Sequence, residues 1–372
     1  MSALVEPRIA TSLPQQKGRE TTGARIGLAV GLIATGVGLV VIALLGPLVT
    51  GTIDYHVTET LRNQTIGLDI VSLFIVAPLA LAAAVLVVRR HVAGAALALG
   101  IGAYTSYMFM QYTLGPEYER LPGNNEVLFP LYLVLFAGGW AVALSAWNLI
   151  DGVGLPGSPR RDRFLGRFVV PVLAFFAFVR YIPALADWMS SEPDDAGYLA
   201  GPTFAWTIAL LDLGVFLPVT VIACVGLVRG APWAHKALFT VVGWFGLVGP
   251  AVAAMAIVMY VNDDPNAAAG SVAMMTTFGL AFAGLAVFLV RPLFASRSPE
   301  KKRDRDNPHV LYSGVGLALG CGVGTALGVI FGPMGLIIGA GVGTVTGLLI
   351  GAVVDWRLAR TQSATRARSD LS

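Results

Sequence analysis

The stretch "IGLDIVSLFIVAPLALAAAVLVVRR", residues 66–90, has one charged residue, Asp69, before it ends on Arg89 and Arg90. A helix of roughly 23 such residues is about 35 Å long, enough to cross a hydrocarbon core about 30 Å thick. The rest of the chain resembles this stretch in kind. Of its 372 residues 56% are apolar and 13% charged, with a mean hydropathy of +0.73. Soluble domains carry about 25% charged residues, so most of this surface faces something other than water. The pattern predicts an all-α fold: a polytopic transmembrane helix bundle in a lipid bilayer.

Eight apolar runs are long enough to span: 26–48, 66–88, 92–113, 127–149, 168–188, 203–228, 237–261 and 270–291. The connecting loops alternate in charge. One set holds Arg8, Lys17 and Arg19 of the N-terminal tail, Arg89 and Arg90, "RRDRFLGR" (160–167), Arg229 with Lys236, and "RSPEKKRDR" (297–305). The other holds Asp54 and Glu59, then Glu117, Glu119 and Glu126, then Glu192, Asp194 and Asp195, then Asp263 and Asp264. Lysine and arginine collect in cytoplasmic loops, so the first set is expected inside, with both termini cytoplasmic and the protein multi-pass in a plasma (inner) membrane. Trp188, Tyr198 and Tyr260 mark outer borders, and Trp147 and Trp233 inner ones, as interfacial aromatics do. The first apolar run is too long for a signal-peptide core and lacks an A-x-A site; it reads as an uncleaved span.

The expected divisions are a cytoplasmic tail (1–24), an eight-helix transmembrane domain (25–292), a cytoplasmic linker (293–311), a glycine-rich hairpin (312–355) and a basic tail (356–372). In the hairpin, glycine recurs at Gly316, Gly320, Gly324, Gly328 and Gly332, then at Gly335, Gly339, Gly343, Gly347 and Gly351. Spacing by four places these on one helix face, and small residues at that spacing let helices approach closely in lipid. Pro333 falls between the two runs, where a turn is expected. The fragment "GCGVGT" is part of this repeat and not a phosphate loop, because no lysine follows it anywhere in 303–372. The reading is a C-terminal glycine-zipper helical hairpin that joins copies into a homo-oligomer; a hairpin lying on the membrane stays open as an alternative.

Charges within apolar spans are expensive and call for a partner or a role. Arg180 and Asp212 each lie about 13–15 Å from the outer end of their spans at 1.5 Å per residue. Consecutive antiparallel spans are neighbours as a rule, so a buried Arg180–Asp212 ion pair facing the bundle interior is expected. It is either a static tie or a proton or cation site. Asp69, near the start of its span, is a possible polar site, with a helix-dipole role as the simpler reading. Pro78, Pro171, Pro183, Pro218 and Pro250 also fall within spans. "LDIVSLFIVAP" and "LDLGVFLPV" echo one another four spans apart, which points to a parallel duplication, although Pro78 follows its aspartate by nine residues and Pro218 by six.

Catalytic signals are sparse. No H-E-x-x-H or G-x-S-x-G occurs. Cys224 and Cys321 form no metal or disulfide pattern. His91, His235 and His309 extend the basic set, while Asp54, His56 and Glu59 on one outer loop read as solvated in preference to a metal site. No cofactor, metal or nucleic-acid partner is implied.

The segments "IGLDIVSLFIVAPLALAAAVLVVRR", "YLVLFAGGWAVAL" and "LLDLGVFLPVTVI" resemble a family of bacterial polytopic membrane proteins known mainly as uncharacterised. The resemblance covers about residues 60–290; it implies the fold and no activity, and the C-terminal zipper departs from it. Three functions stay open. They are small-solute or ion transport through the bundle, structural assembly through the zipper, and a membrane enzyme using the outer loops.

Overall fold

The computed structural model describes residues 13–151, 155, 159–295 and 346. The glycine-zipper positions Gly316–Gly351, Cys321, His309, the linker and the basic tail lie outside the described residues. No strand occurs among those described, so the fold is all-α. Its elements are α1 (Leu13–Leu45), α2 (Glu59–Val71), α3 (Ala77–Val88), α4 (Val92–Leu114), α5 (Phe129–Asp151), α6 (Pro159–Phe164), α7 (Val170–Trp188), α8 (Ala196–Ala200), α9 (Pro202–Leu211), α10 (Leu217–Val228), α11 (Ala234–Val261) and α12 (Ala269–Ala295).

Among the described residues, seven helical stretches are long and apolar enough to cross a bilayer: Thr22–Leu45, Glu59–Val88, Val92–Leu114, Asn125–Ile150, Pro202–Val228, Ala234–Val261 and Ala269–Phe294. The α7 segment is helical too, with Arg180 and Asp187 along it. The outer faces of α5 and α12 are apolar and uncovered, with Val134 63%, Leu280 70% and Phe288 59% exposed. Contiguous apolar surface on this scale is not left to water. This is the architecture of a multi-pass membrane protein.

Two spans change helical pitch at the same place. Between α2 and α3 a π turn covers Ser72–Val76, closed by the Ala77 N–H donating to the Ser72 carbonyl. Between α9 and α10 the π turn is Asp212–Phe216, closed by the Leu217 N–H on the Asp212 carbonyl. Proline follows each turn by two residues, at Pro78 and Pro218. Proline cannot donate back up the helix and its ring crowds the preceding turn; one widened π turn absorbs both problems.

The likeness continues past the prolines. α3 ends with Arg89 N–H on Val85 O, Arg90 on Val87 O and His91 on Leu86 O. α10 ends with Arg229 N–H on Val225 O, Gly230 on Leu227 O and Ala231 on Gly226 O. Arg90 (φ 59°) and Gly230 (φ 70°) both take the left-handed cap conformation. Every partner is displaced by the same 140 residues (for example 229 − 89). The α2–α3 and α9–α10 spans therefore share one backbone pattern in a register of 140 residues, set by their prolines and not by their aspartates. In that register Asp212 is equivalent to Ser72, and Asp69 to Ala209. The two aspartates of the "LD" echo are thus not equivalent positions.

The halves meet where α4 crosses α11. A methyl group at Gly100 would lie 2.7 Å from the Gly243 Cα, and one at Gly243 2.9 Å from the Gly100 Cα. Only glycine at both positions allows backbones this close. α2 packs on α11, α9 on α4, and α4 is enclosed by α5, α3 and α11 as well.

Candidate functional site

α2 begins at Glu59, well before the apolar run does, so Asp69 lies ten residues along it and about 15 Å from its start. Its side chain is 1% exposed. The reading of a shallow, hydrated aspartate is corrected: this carboxyl is in the bundle interior. Among the seven residues that precede the apolar run, Thr60, Asn63 and Thr65 are buried, and other protein groups meet their polar atoms. Asn63 Nδ2 and Thr60 Oγ1 donate to the Asp264 carboxylate (3.0 and 3.2 Å), and Asn262 Nδ2 donates to Asn63 Oδ1 (2.7 Å).

A group of phenols surrounds Asp69. Tyr112 of α4 donates to its Oδ1 at 3.0 Å, while Oδ2 has no hydrogen-bond partner. Tyr55 from the loop 46–58 stacks on Tyr112 with ring centres 5.3 Å apart, and Tyr132 of α5 lies 6.1 Å from Tyr112. The hydroxyls of Tyr55 and Tyr132 are buried and lie close to one another. One turn further into α2, Ser72 Oγ and Tyr104 Oη share a hydrogen bond of 3.0 Å. Gly46 closes the far side. A methyl group there would sit 3.0 Å from Asp69 Oδ2, 3.1 Å from the Ile42 carbonyl and 3.8 Å from Tyr55 Oη. The space that glycine leaves is thus bordered by three oxygens.

Asp212 is arranged differently. Tyr107 of α4 donates to its Oδ1 at 2.7 Å and Tyr181 of α7 to its Oδ2 at 2.6 Å, so both oxygens are used. Arg180 lies over the Tyr181 ring, 5.4 Å from its centre, and is exposed on the surface of the described bundle. The structure thus brings Arg180 and Asp212 to one tyrosine. Among the described residues, the hydrogen-bond partners of the carboxylate are the two phenols. Trp244, equivalent to Tyr104 in the repeat register, stacks on Phe216 at 3.6 Å and meets Tyr107 edge-on at 5.0 Å.

The sequence reading did not single out Tyr55, Tyr107, Tyr112, Tyr132 or Tyr181. A signal was present. "YTSYMFMQYT" (104–113) puts three tyrosines and a glutamine into a span, and Gln111 is buried with them.

Beside Asp69 the loops 46–58, 115–128 and 189–203 are bound together. Asp54 N–H donates to Asn124 Oδ1 (2.8 Å) and Glu117 N–H to His56 O (2.7 Å). Across the halves, Thr58 Oγ1 donates to Ala200 O (2.8 Å) and Thr203 N–H to Glu117 Oε1 (2.9 Å). His56 Nδ1 lies 2.6 Å from the Leu121 carbonyl and Nε2 2.8 Å from Glu126 Oε2. Both ring nitrogens face acceptors, an arrangement that only the doubly protonated imidazolium satisfies. Burial works against that charge, but the Leu121 carbonyl, then Glu126 and Asp54, outweigh it and hold the pKa of His56 above its ordinary value. Asp54 pairs with Arg62 (3.4 Å). Among the described residues no three His, Cys, Asp or Glu side chains converge as metal ligands. At the opposite end of the bundle His235 meets Asp162 at 2.8 Å, and Lys236 lies 4.6 Å from the Trp147 ring centre.

No family model, no curated protein and no solved structure matches this chain.

Proposed function

We propose that this protein is an eight-span plasma-membrane protein, with α7 as the eighth span and both ends cytoplasmic, and that its bundle passes a small solute or ion. The observation that carries the reading is the pair of carboxyls, Asp69 and Asp212, held among tyrosines inside a bundle whose α2–α3 and α9–α10 spans share one backbone pattern. Intramembrane acidic groups mark ion and substrate pathways more often than they stabilise. Repeats that rock about a central crossing are a common basis for alternating access, and Gly100–Gly243 supplies such a crossing. The π turns reinforce the point. Each frees backbone beside a polar side chain, at Ser72 and at Asp212, and such turns concentrate at functional sites.

Asp212 is the residue on which coupling would depend. It links α9–α10 of one half to α4 of the other through Tyr107, so a change in its protonation would alter a contact between halves. The test is flux of protons or alkali cations into liposomes carrying the purified protein under an imposed gradient. Native protein should conduct, and Asp212→Asn should abolish flux while remaining folded. Equal flux from the variant, or none from the native protein, overturns the reading.

A further inference from the structure

We propose that the Asp69 carboxyl is a proton-binding site loaded from the outer face, with Tyr55 as its cover. The proposal deepens the transport reading by naming the proton as the bound ion, and rests on it only for the purpose of the binding.

The geometry carries three arguments. First, the carboxyl is sealed from solvent and receives one hydrogen bond, from Tyr112; among the described residues no cation pairs with it. An ionised carboxylate in such a place is far too costly, and groups so placed take up a proton instead. Second, Asp69 Oδ2, the Ile42 carbonyl and Tyr55 Oη border the space beside Gly46. An added proton on Oδ2 faces this polar space, whereas three oxygens with no further ligands are too few for an alkali or divalent ion. Third, Tyr55 belongs to the 46–58 loop, and its neighbour His56 fastens that loop to the next through Leu121 O and Glu126. Opening the loop moves Tyr55 off Tyr112 and exposes Oδ2 to outer water.

The step is simple. Hydronium from the outer side gives its proton to Oδ2, an O–H bond forms there, and water leaves. The groups facing Asp69 are Tyr112 and Tyr104 from α4, Tyr55 from the loop and Tyr132 from α5, and none of them titrates in the physiological range. Those facing His56 are Asp54 from its own loop, Glu117 and Tyr118 from the loop after α4, and Glu126 before α5, with Arg62 drawing on Asp54.

The test is infrared difference spectroscopy of the full-length protein in lipid, stepped between acidic and alkaline buffer. A carbonyl band from a protonated carboxyl should rise and fall with pH in native protein. It should vanish in Asp69→Asn and persist in Asp212→Asn. On transfer to heavy water, its isotope shift should be about ten-fold faster in His56→Ala, because the loop opens more often. Should Asp69→Asn not fold, Gly46→Ala keeps the carboxyl and fills the space beside it; the band's titration midpoint should then move. A band that survives in Asp69→Asn, an exchange rate unchanged in His56→Ala, or a midpoint unmoved in Gly46→Ala overturns the proposal. A titrating Asp69 in a protein without flux retires the transport reading and leaves this site standing.

Discussion

The spans α2–α3 and α9–α10, one in each half of this molecule, share a backbone pattern and differ in chemistry. Each has a π turn two residues before its proline and each ends the following helix with the same three hydrogen bonds 140 residues apart. Yet in the equivalent frames one half holds Ser72 where the other holds Asp212, and Asp69 where the other has Ala209. Asp212 has both oxygens bonded, with a guanidinium one ring away; Asp69 has one oxygen bonded and no such neighbour. Backbone geometry here follows from proline and helix ends, which constrain every sequence that uses them. The side chains between are free to diverge, and a duplicated scaffold then carries two unlike sites.

If the scaffold is shared, damage at its crossing should be symmetrical. Gly100→Leu and Gly243→Leu each force a side chain into the opposing backbone, where no rotamer relieves the clash. Each should lower stability by about 3 kcal/mol, at the upper end of overpacking costs, and by nearly equal amounts in unfolding measured in detergent. A large effect at one position and none at the other would break the equivalence of the halves.

If the sites are unlike, their aspartates should respond with different signs. Asp212→Asn removes the anion that two phenols address, and hydrogen bonds to a charged group contribute about 1.5–3 kcal/mol each. It should destabilise by about 2 kcal/mol. Asp69→Asn removes an ionisable carboxyl from an enclosed place while keeping its size. It should be neutral or stabilising, as replacements of buried ionisable groups by neutral ones often are. Equal losses at both positions in the same unfolding experiment would erase the distinction.

Much of this arrangement is legible in the residues. Helices that cross lipid must be apolar for about 20 residues, and "IGLDIVSLFIVAPLALAAAVLVVRR" and its counterparts announce themselves on that ground. Where a span begins is less legible when polar residues are satisfied by protein. Thr60, Asn63 and Thr65 read as a loop, yet they are buried against Asp264, Asn262 and the helix's own Leu61 carbonyl. That misplaced edge made Asp69 look shallow. The echo of "LD" in the two halves was visible, but the π turns and helix ends match in the register that aligns Pro78 with Pro218, because proline constrains the backbone and aspartate does not. The phenols were hidden for another reason. Tyrosine is common at membrane borders, and nothing local tells a border tyrosine from one that donates to a carboxylate two helices away.

The smallest expected effect concerns the cap over Asp69, which the other half lacks. His56 is held by acceptors on both ring nitrogens, and its pKa in the folded protein stands above the ordinary 6.5. A group raised on folding adds stability in full below its unfolded pKa and loses it as pH rises through the higher folded value. The loop should therefore loosen between neutral and alkaline pH, while acidification below about 6 leaves the His56 contribution intact. Hydrogen exchange at the amides of Glu117 and Asn124, which bond the 46–58 loop, reads this directly once the intrinsic base catalysis of exchange is divided out. Native protein should lose protection there as pH rises, His56→Gln should show no such step, and amides in the loop 262–266 should be indifferent in both. A step of equal size at 262–266 would mean that the whole outer face, and not the half that covers Asp69, answers to pH.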